Sequence, residues 1–224
     1  SIMKTENIKA CVFDAYGTLF DVNSAAAKCK EKLGSRWEGF ANAWRTTQLE
    51  YTWLRSLMKK HKNFWEITED SLDHTMETFK IKKEMRNELL DLYKKLSPYT
   101  EVEECLKGLK NKKIKIAILS NGTPDLLKGL VESNNIQNYF DDIFSIESVG
   151  IYKPDSRVYE MPIKKYDCKP ENICFMSSNT WDVSGGGNFG YNAIWVNRVN
   201  KVFDKLDYKP YCTINSLKEL LKII

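Results

Sequence analysis

The first apolar run in the chain, Ile8-Lys9-Ala10-Cys11-Val12-Phe13, ends at once in the polar loop Asp14-Ala15-Tyr16-Gly17-Thr18. A short apolar run bounded by a turn is the pattern of a buried strand. The period then changes. Residues 25–33 read as one helical stretch. Phe40, Trp44, Tyr51, Leu54 and Met58 then recur at the spacing of one face of an amphipathic helix. Further helical patterns cover residues 64–79 and 84–96, before Ser97-Pro98 breaks the chain. Beyond the break, a helical pattern over 102–109 precedes a strand-like run at 114–119, and Ser120-Asn121-Gly122-Thr123-Pro124 opens another helix. Residues 143–146, 173–176 and 193–196 read as short strands with helical stretches between them. Strands alternating with helices predict an α/β fold, a parallel sheet covered on both faces. The block 21–97 is then a helical insertion after the first strand, and residues 1–20 and 98–224 together form the core.

In such a sheet, ligands bind where strands end and helices begin. Three polar loops fall there: 14–18, 120–123 and 177–182. A carboxylate at a strand end, such as Asp14, serves as nucleophile, base or metal ligand, or it is a turn residue capping nearby amides. The Gly17-Thr18 pair favours a held carboxylate, oriented by the amides there. His61 and His74 have no Asp or Cys partner at useful spacing and read as surface or structural residues. Gly185-Gly186-Gly187, read as a helix start, is expected to loosen that helix.

Composition narrows the partners. The 224 residues suffice for one domain with an insertion. Lys plus Arg number 34 against 30 Asp plus Glu, and pairs such as Lys59-Lys60 and Lys112-Lys113 are scattered. A net charge of +4 without a basic tract argues against nucleic acid as a partner. No apolar run approaches the roughly 20 residues needed to span a bilayer, so no membrane association is expected. Residues 1–9 hold no apolar signal core, and Met3 reads as a natural start preceded by Ser1-Ile2. None of the six cysteines forms a CxxC pair. Buried free thiols and a reducing cytoplasm are the expectation.

Four segments carry a resemblance. Phe13-Asp14-Ala15-Tyr16-Gly17-Thr18-Leu19-Phe20 resembles the first motif of the haloacid dehalogenase (HAD) superfamily. Ile118-Leu119-Ser120-Asn121-Gly122 resembles the second, Lys153 in Tyr152-Lys153-Pro154-Asp155 the third, and the segment from Phe175 to Asp182 the fourth. The resemblance spans nearly the whole chain. It implies a HAD-like Rossmannoid core with an inserted helical cap. Within the superfamily, phosphatases usually carry a second Asp two positions after the nucleophile, where this chain has Tyr16, and a Gly-Asp dipeptide where it has Ser177-Ser178. Magnesium favours anionic oxygen ligands, and a phosphoryl group needs its charge neutralised. Halide leaves without a proton. The segment from Trp44 to Leu57 also resembles the cap helix of L-2-haloacid dehalogenases.

That branch implies hydrolysis of short L-2-haloacids without metal or other cofactor. The substrates would be a small halogenated carboxylic acid and water, and the assembly a homodimer, for which the Trp53-Leu54 region would serve. Asp14 would displace halide from C2 and form an ester, which water then opens at the Asp14 carbonyl. Arg45 and Asn121 would cradle the halide. Ser120 and its loop amides would clamp the substrate carboxylate, with Ala15 and Tyr16 also lining the substrate. Lys153 would keep Asp14 ionised, since a nearby cation favours a carboxylate. Thr18, Ser177, Asn179 and Asp182 would orient Asp14 and activate water, with Asp182 as the base. Tyr159 would lie near the substrate carboxylate and Arg45. Leu49, Phe64 and Trp181 would form the apolar wall that keeps water from Asp14. The alternatives are a phosphatase of the same superfamily, a dehalogenase preferring fluoroacetate, and a fold retained only for binding.

Overall fold

The computed structural model describes residues 3–4 and 7–224; Ser1 and Ile2, ahead of Met3, lie outside the described residues. The first strand, β1 (Ala10–Phe13), is wholly buried and sits inside a six-stranded sheet. The other strands are β2 (Lys115–Ser120), β3 (Asp142–Ser145), β4 (Ile173–Ser177), β5 (Asn192–Val196) and β6 (Cys212–Ile214). Their order is β3-β2-β1-β4-β5-β6, and every pairing is parallel. Nearly continuous apolar strands are what a sheet covered on both faces requires. Register then fixes the site: Phe13 lies level with Ile118 and with Met176. Asp14 and Ser177, which follow directly, and Ser120, two residues past Ile118, therefore emerge at one sheet edge.

Between β1 and β2 run α1 (Ser24–Lys28), α2 (Lys30–Leu33), α3 (Trp37–Met58), α4 (Phe64–Phe79), α5 (Met85–Tyr93) and α6 (Val102–Asn111). After β2 come α7 (Pro124–Ser133), α8 (Ser156–Tyr166) and α9 (Thr180–Phe189). Thr123 and Asp155 cap α7 and α8 through side-chain oxygens, which satisfies amides that the first helical turn leaves free. The same device, Asn63 accepting from the Glu66 amide at 2.9 Å, starts α4 where the hydrophobic period begins.

Three expectations need correction, and one strand lies outside the pattern. The stretch 25–33 is broken at Cys29, whose amide closes a tight turn onto Ala26 O at 3.0 Å. In α3 the buried positions are Phe40, Ala41, Trp44, Gln48 and Thr52, whereas Leu54 and Met58 are 49% and 60% exposed. Positions that step by four drift round a 3.6-residue helix, and by the last turn the buried stripe has moved off Leu54 and Met58. The strand β6 ends in too short a run, Cys-Thr-Ile, to stand out as a pattern. Gly185, Gly186 and Gly187 lie inside α9, not at its start. A Cβ on Gly185 would come within 2.7 Å of the Tyr159 hydroxyl, on Gly186 within 2.9 Å of Phe175, and on Gly187 within 2.3 Å of the Tyr208 ring. The glycines admit close packing, and their weak helix propensity is offset by that contact.

All six cysteines are free thiols; four are buried, while Cys168 and Cys212 are half-buried. Among the described residues, no helix is long and apolar enough to cross a membrane.

Candidate active site

Asp14 stands one residue past β1, with its amide donating to Met176 O at 3.0 Å and its side chain only 7% exposed. Its two oxygens are treated differently. Oδ2 accepts from Thr18 Oγ1 at 3.1 Å, Ser177 Oγ at 2.9 Å and Asn179 Nδ2 at 2.7 Å. Oδ1 accepts from Lys153 Nζ at 3.2 Å. The holding is done by side chains. The Gly17 and Thr18 amides expected to orient the carboxylate instead close the turn, donating to Phe20 O at 2.7 Å and Ala15 O at 3.2 Å. Gly17 has φ +87°, a conformation that glycine adopts without a steric cost.

Lys153 is buried between two carboxylates, 3.2 Å from Asp14 and 2.8 Å from Asp182. Burial acts to lower its pKa, but the charges of Asp14 and Asp182 outweigh burial and hold it above the ordinary lysine value. Asp182 is pushed up to about 6: burial raises it most, Lys153 opposes, and Asp14 adds a further upward push. Its other oxygen accepts from the Tyr159 hydroxyl at 2.6 Å. Tyr159, expected beside Arg45, therefore lies beneath Asp182, fully buried against Phe175, Phe189 and Tyr191. Burial and then the Asp182 charge raise its pKa well above that of an ordinary phenol, so it stays a donor.

Arg45 comes from α3 across the cleft. Its guanidinium donates to Gln48 Oε1 at 3.0 Å, Asn179 Oδ1 at 3.3 Å and Tyr16 O at 3.4 Å. Asn121, expected to share the halide cradle, has a separate partner: its Oδ1 accepts from the Lys153 amide at 3.2 Å. Ser120 is buried, and its Oγ accepts from the Gly122 amide at 3.0 Å, which shapes the second-motif loop. Ser178 donates to Gly17 O at 2.5 Å, and its amide donates to Thr18 Oγ1 at 2.8 Å.

The expected apolar wall is split. Leu49 and Trp181 line a cleft of about 590 Å³ together with Arg45, Trp53, Ser178 and Asn179, and Trp181 meets Trp53 edge-on at 5.3 Å. Phe64 is buried elsewhere, against Tyr16 at 5.1 Å and Tyr152 at 6.5 Å. Tyr16 itself is buried beside Ala15, stacked on Tyr93 at 5.6 Å, and its hydroxyl has no hydrogen-bond partner among the described residues. Gln48 was not foreseen. It is buried and donates to Thr68 and Tyr93 while it accepts from Arg45. The available signal was its position three residues after Arg45, on the same helix face.

Fold and site together define a parallel α/β protein whose sheet edge carries a strand-end aspartate, a buried lysine and a second aspartate, with a block of helices inserted after the first strand. The family model for haloacid dehalogenase-like hydrolases matches residues 8–190. (S)-2-haloacid dehalogenase 1 from Pseudomonas sp. (strain CBS-3) is 40% identical over 219 residues, covering 97% of this chain and 96% of that one. The structure of L-2-haloacid dehalogenase from Xanthobacter autotrophicus, solved with chloropropionic acid covalently bound, superposes with TM-score 0.89 at 31% identity, covering 96% of this chain and 97% of that one. A further solved dehalogenase superposes with TM-score 0.95 at 35% identity, and 97% of each chain is covered. The chain belongs to the haloacid dehalogenase-like hydrolase family.

Proposed function

We propose that this protein hydrolyses short L-2-haloalkanoic acids to D-2-hydroxy acids and halide, through an ester formed on Asp14. The observation that carries the reading is the asymmetry of the Asp14 carboxylate. Oδ2 takes three donors, which fills its acceptor capacity, whereas Oδ1 has Lys153 alone. Oδ1 keeps a lone pair and attacks C2. The C2–halogen bond breaks, and halide leaves with the bonding electrons. Inversion occurs at C2 in that step. Water then adds to the Asp14 carbonyl carbon, with Asp182 taking its proton; the bond between that carbon and the substrate oxygen breaks, Asp182 returns the proton to the leaving alkoxide to free the hydroxy acid, and the Asp14 carboxyl group loses the remaining proton to solvent. C2 is untouched in the second step, so the inversion is kept.

The relatives support this reading. Those named (S)-2-haloacid dehalogenase match over nearly the full chain, and the Xanthobacter autotrophicus enzyme holds chloropropionic acid covalently. Within this scheme residues 21–97 act as the cap, and Arg45 on α3 meets the developing halide charge. Leu49 and Trp181 face the substrate's alkyl side. Ser178 carries no charge for a divalent cation, and the ammonium of Lys153 already neutralises Asp14 at 3.2 Å. The reaction therefore needs no divalent metal in this reading.

The test is halide release from L-2-chloropropionate after dialysis against a chelator, with chiral analysis of the lactate. D-lactate, and its loss in Asp14→Ala, is the expected result. Phosphate release from an aryl phosphate that needs added magnesium, with no halide release, would overturn the assignment. In ¹⁸O water, single turnover should place label in Asp14. Label only in the product hydroxyl would make Asp14 a general base.

A further inference from the structure

Arg198 follows β5 and has no part in the reaction just described. Its Nη2 donates to the carbonyl of Thr18 at 2.8 Å and pairs with Glu101 Oε2, also at 2.8 Å. Both side chains are withdrawn from solvent, at 12% and 7% exposure. Glu101 Oε2 also accepts from the Leu217 amide at 3.1 Å. The guanidinium lies 3.7 Å over the ring of Tyr99. Its Nε–H is buried with no acceptor among the described residues, so its placement follows Thr18, Glu101 and Tyr99 at the expense of its own full satisfaction.

Those partners lie at one mechanical point. The chain leaves the sheet for the inserted helices through residues 18–21 and returns through 97–101. The two passages are joined by backbone: Tyr99 donates to Leu19 O at 2.9 Å and Asp21 to Ser97 O at 3.0 Å. Arg198 grips the outgoing passage at Thr18 and the returning one at Tyr99 and Glu101. Thr18 is also the residue whose hydroxyl holds Asp14 Oδ2 at 3.1 Å. The same arginine thus fixes the joint of the helical layer and the residue that orients the nucleophile. Arginine suits this use, because its rigid planar guanidinium aims the two N–H groups of Nη2 at a carbonyl and a carboxylate while its face stacks on a ring.

We infer that Arg198 and Glu101 form a positioning pair that locks Thr18, and through it the Asp14 carboxylate, to the joint between the sheet and the inserted helices. This rests on the reading of Asp14 as the nucleophile. A buried ion pair is weak evidence for stability as such, and replacing both partners with neutral groups is often tolerated. The pair's consequence is then geometric, and it falls on the attack step, because a misplacement of about 1 Å costs on the order of 10²-fold in rate.

The test uses the double variant Arg198→Met/Glu101→Gln, which leaves no uncompensated charge behind, and Arg198→Lys, which keeps the charge but loses the fork. Three quantities are measured on each: thermal midpoint, kcat and KM for L-2-chloropropionate, and amide hydrogen exchange. The double variant should keep its thermal midpoint within a few degrees while kcat falls roughly 10- to 10²-fold and KM stays within a factor of about two. Exchange should quicken at the amides of residues 14–20 while the centre of the sheet stays protected. Arg198→Lys should show a smaller loss in the same direction. Wild-type kcat and exchange in a folded double variant would overturn the inference. If the double variant does not fold, unchanged kcat and exchange in Arg198→Lys overturns it equally. Should the wild-type protein release no halide, the proposed function fails, while the exchange at 14–20 still decides whether the pair positions that loop.

Discussion

Lys153→Met removes the cation held between Asp14 and Asp182 while keeping an unbranched side chain only one atom shorter. At 3.2 Å and 2.8 Å, each contact is worth about 5–6 kcal/mol of direct attraction at an effective dielectric of about 20. The net loss is smaller, because the lysine's own desolvation cost disappears; breaking a buried pair typically costs about 3–5 kcal/mol. Two buried carboxylates would then face each other without a counter-ion, and one would keep a proton to higher pH. Asp182 is the group already raised, to about 6 from 3.8. In the wild type, the folded state binds the extra proton only between these values, so that stability falls as pH rises across that window and levels off above it. Lys153, raised above 10.5, contributes stability present at every pH below its unfolded value and lost only in strong alkali. In Lys153→Met the falling limb should extend past neutrality. Urea midpoints at pH 5, 6.5 and 8 read this directly. The wild type should differ little between pH 6.5 and 8, and the variant should lose stability steadily while releasing no halide. A variant whose midpoints run parallel to the wild type would show that the carboxylates are solvated enough to do without the ammonium, and the charge argument would fail.

The same raised carboxylate sets the pH dependence of turnover. In the proposed second step Asp182 is ionised when it takes a proton from water, so ester hydrolysis should gain rate as pH rises through about 6; Asp182→Asn should abolish that limb and leave about one halide per site released in a burst, with the protein heavier by one adduct. A variant that turns over normally would remove Asp182 from the second step. Gly187→Ala tests the packing of α9: alanine gains about 1 kcal/mol of helix propensity, but its Cβ would stand 2.3 Å from the Tyr208 ring. Overpacking of that kind costs about 1–3 kcal/mol, so the thermal midpoint should fall; a rise would mean that the Tyr208 ring moves aside freely.

The elements that could be read from the chain are those whose burial repeats with a fixed period. The strands at 114–119 and 173–176 are legible because both faces are buried and the apolar run is nearly continuous, and the helix 64–79 because it buries one unbroken stripe. The end of α3 misled because apolar side chains at Leu54 and Met58 keep the period but lose the covering partner. The loop residues at the sheet edge were legible as motifs: Thr18, Ser177 and Asn179 do converge on one oxygen of Asp14. Contacts between distant segments were not. Nothing in the sequence ties Arg198 to Thr18 or Glu101, 180 and 97 residues away by number, and nothing distinguishes a glycine run that loosens a helix from one that lets Tyr159, Phe175 and Tyr208 close upon it. Tyr159 shows the same limit. Its position in α8 was readable, but the choice between Arg45 and Asp182 as its partner depends on how α8 and α9 pack.

The charge balance of the site says what kind of leaving group it suits. Asp14 and Asp182 supply two negative charges close to Lys153, and Arg45 supplies a second positive charge from across the cleft. The fixed charges sum to zero before any ligand arrives. A 2-haloacid brings a single negative charge on its carboxylate, and in the proposed attack the charge of Asp14 passes to the departing halide as the ester forms. Among the described residues Arg45 has no carboxylate partner and is bonded to neutral oxygens of Gln48, Asn179 and Tyr16. Its full positive charge is therefore open to the cleft. A phosphate monoester would bring about two charges next to the nucleophile and develop more on its equatorial oxygens. Here the donors nearest Asp14, namely Thr18, Ser177 and Asn179, are already committed to its Oδ2. They orient the carboxylate and are not free to receive phosphoryl oxygens. This charge balance supports the proposed attack by one aspartate oxygen on a neutral carbon, in which the developing charge moves away from the buried lysine and toward Arg45.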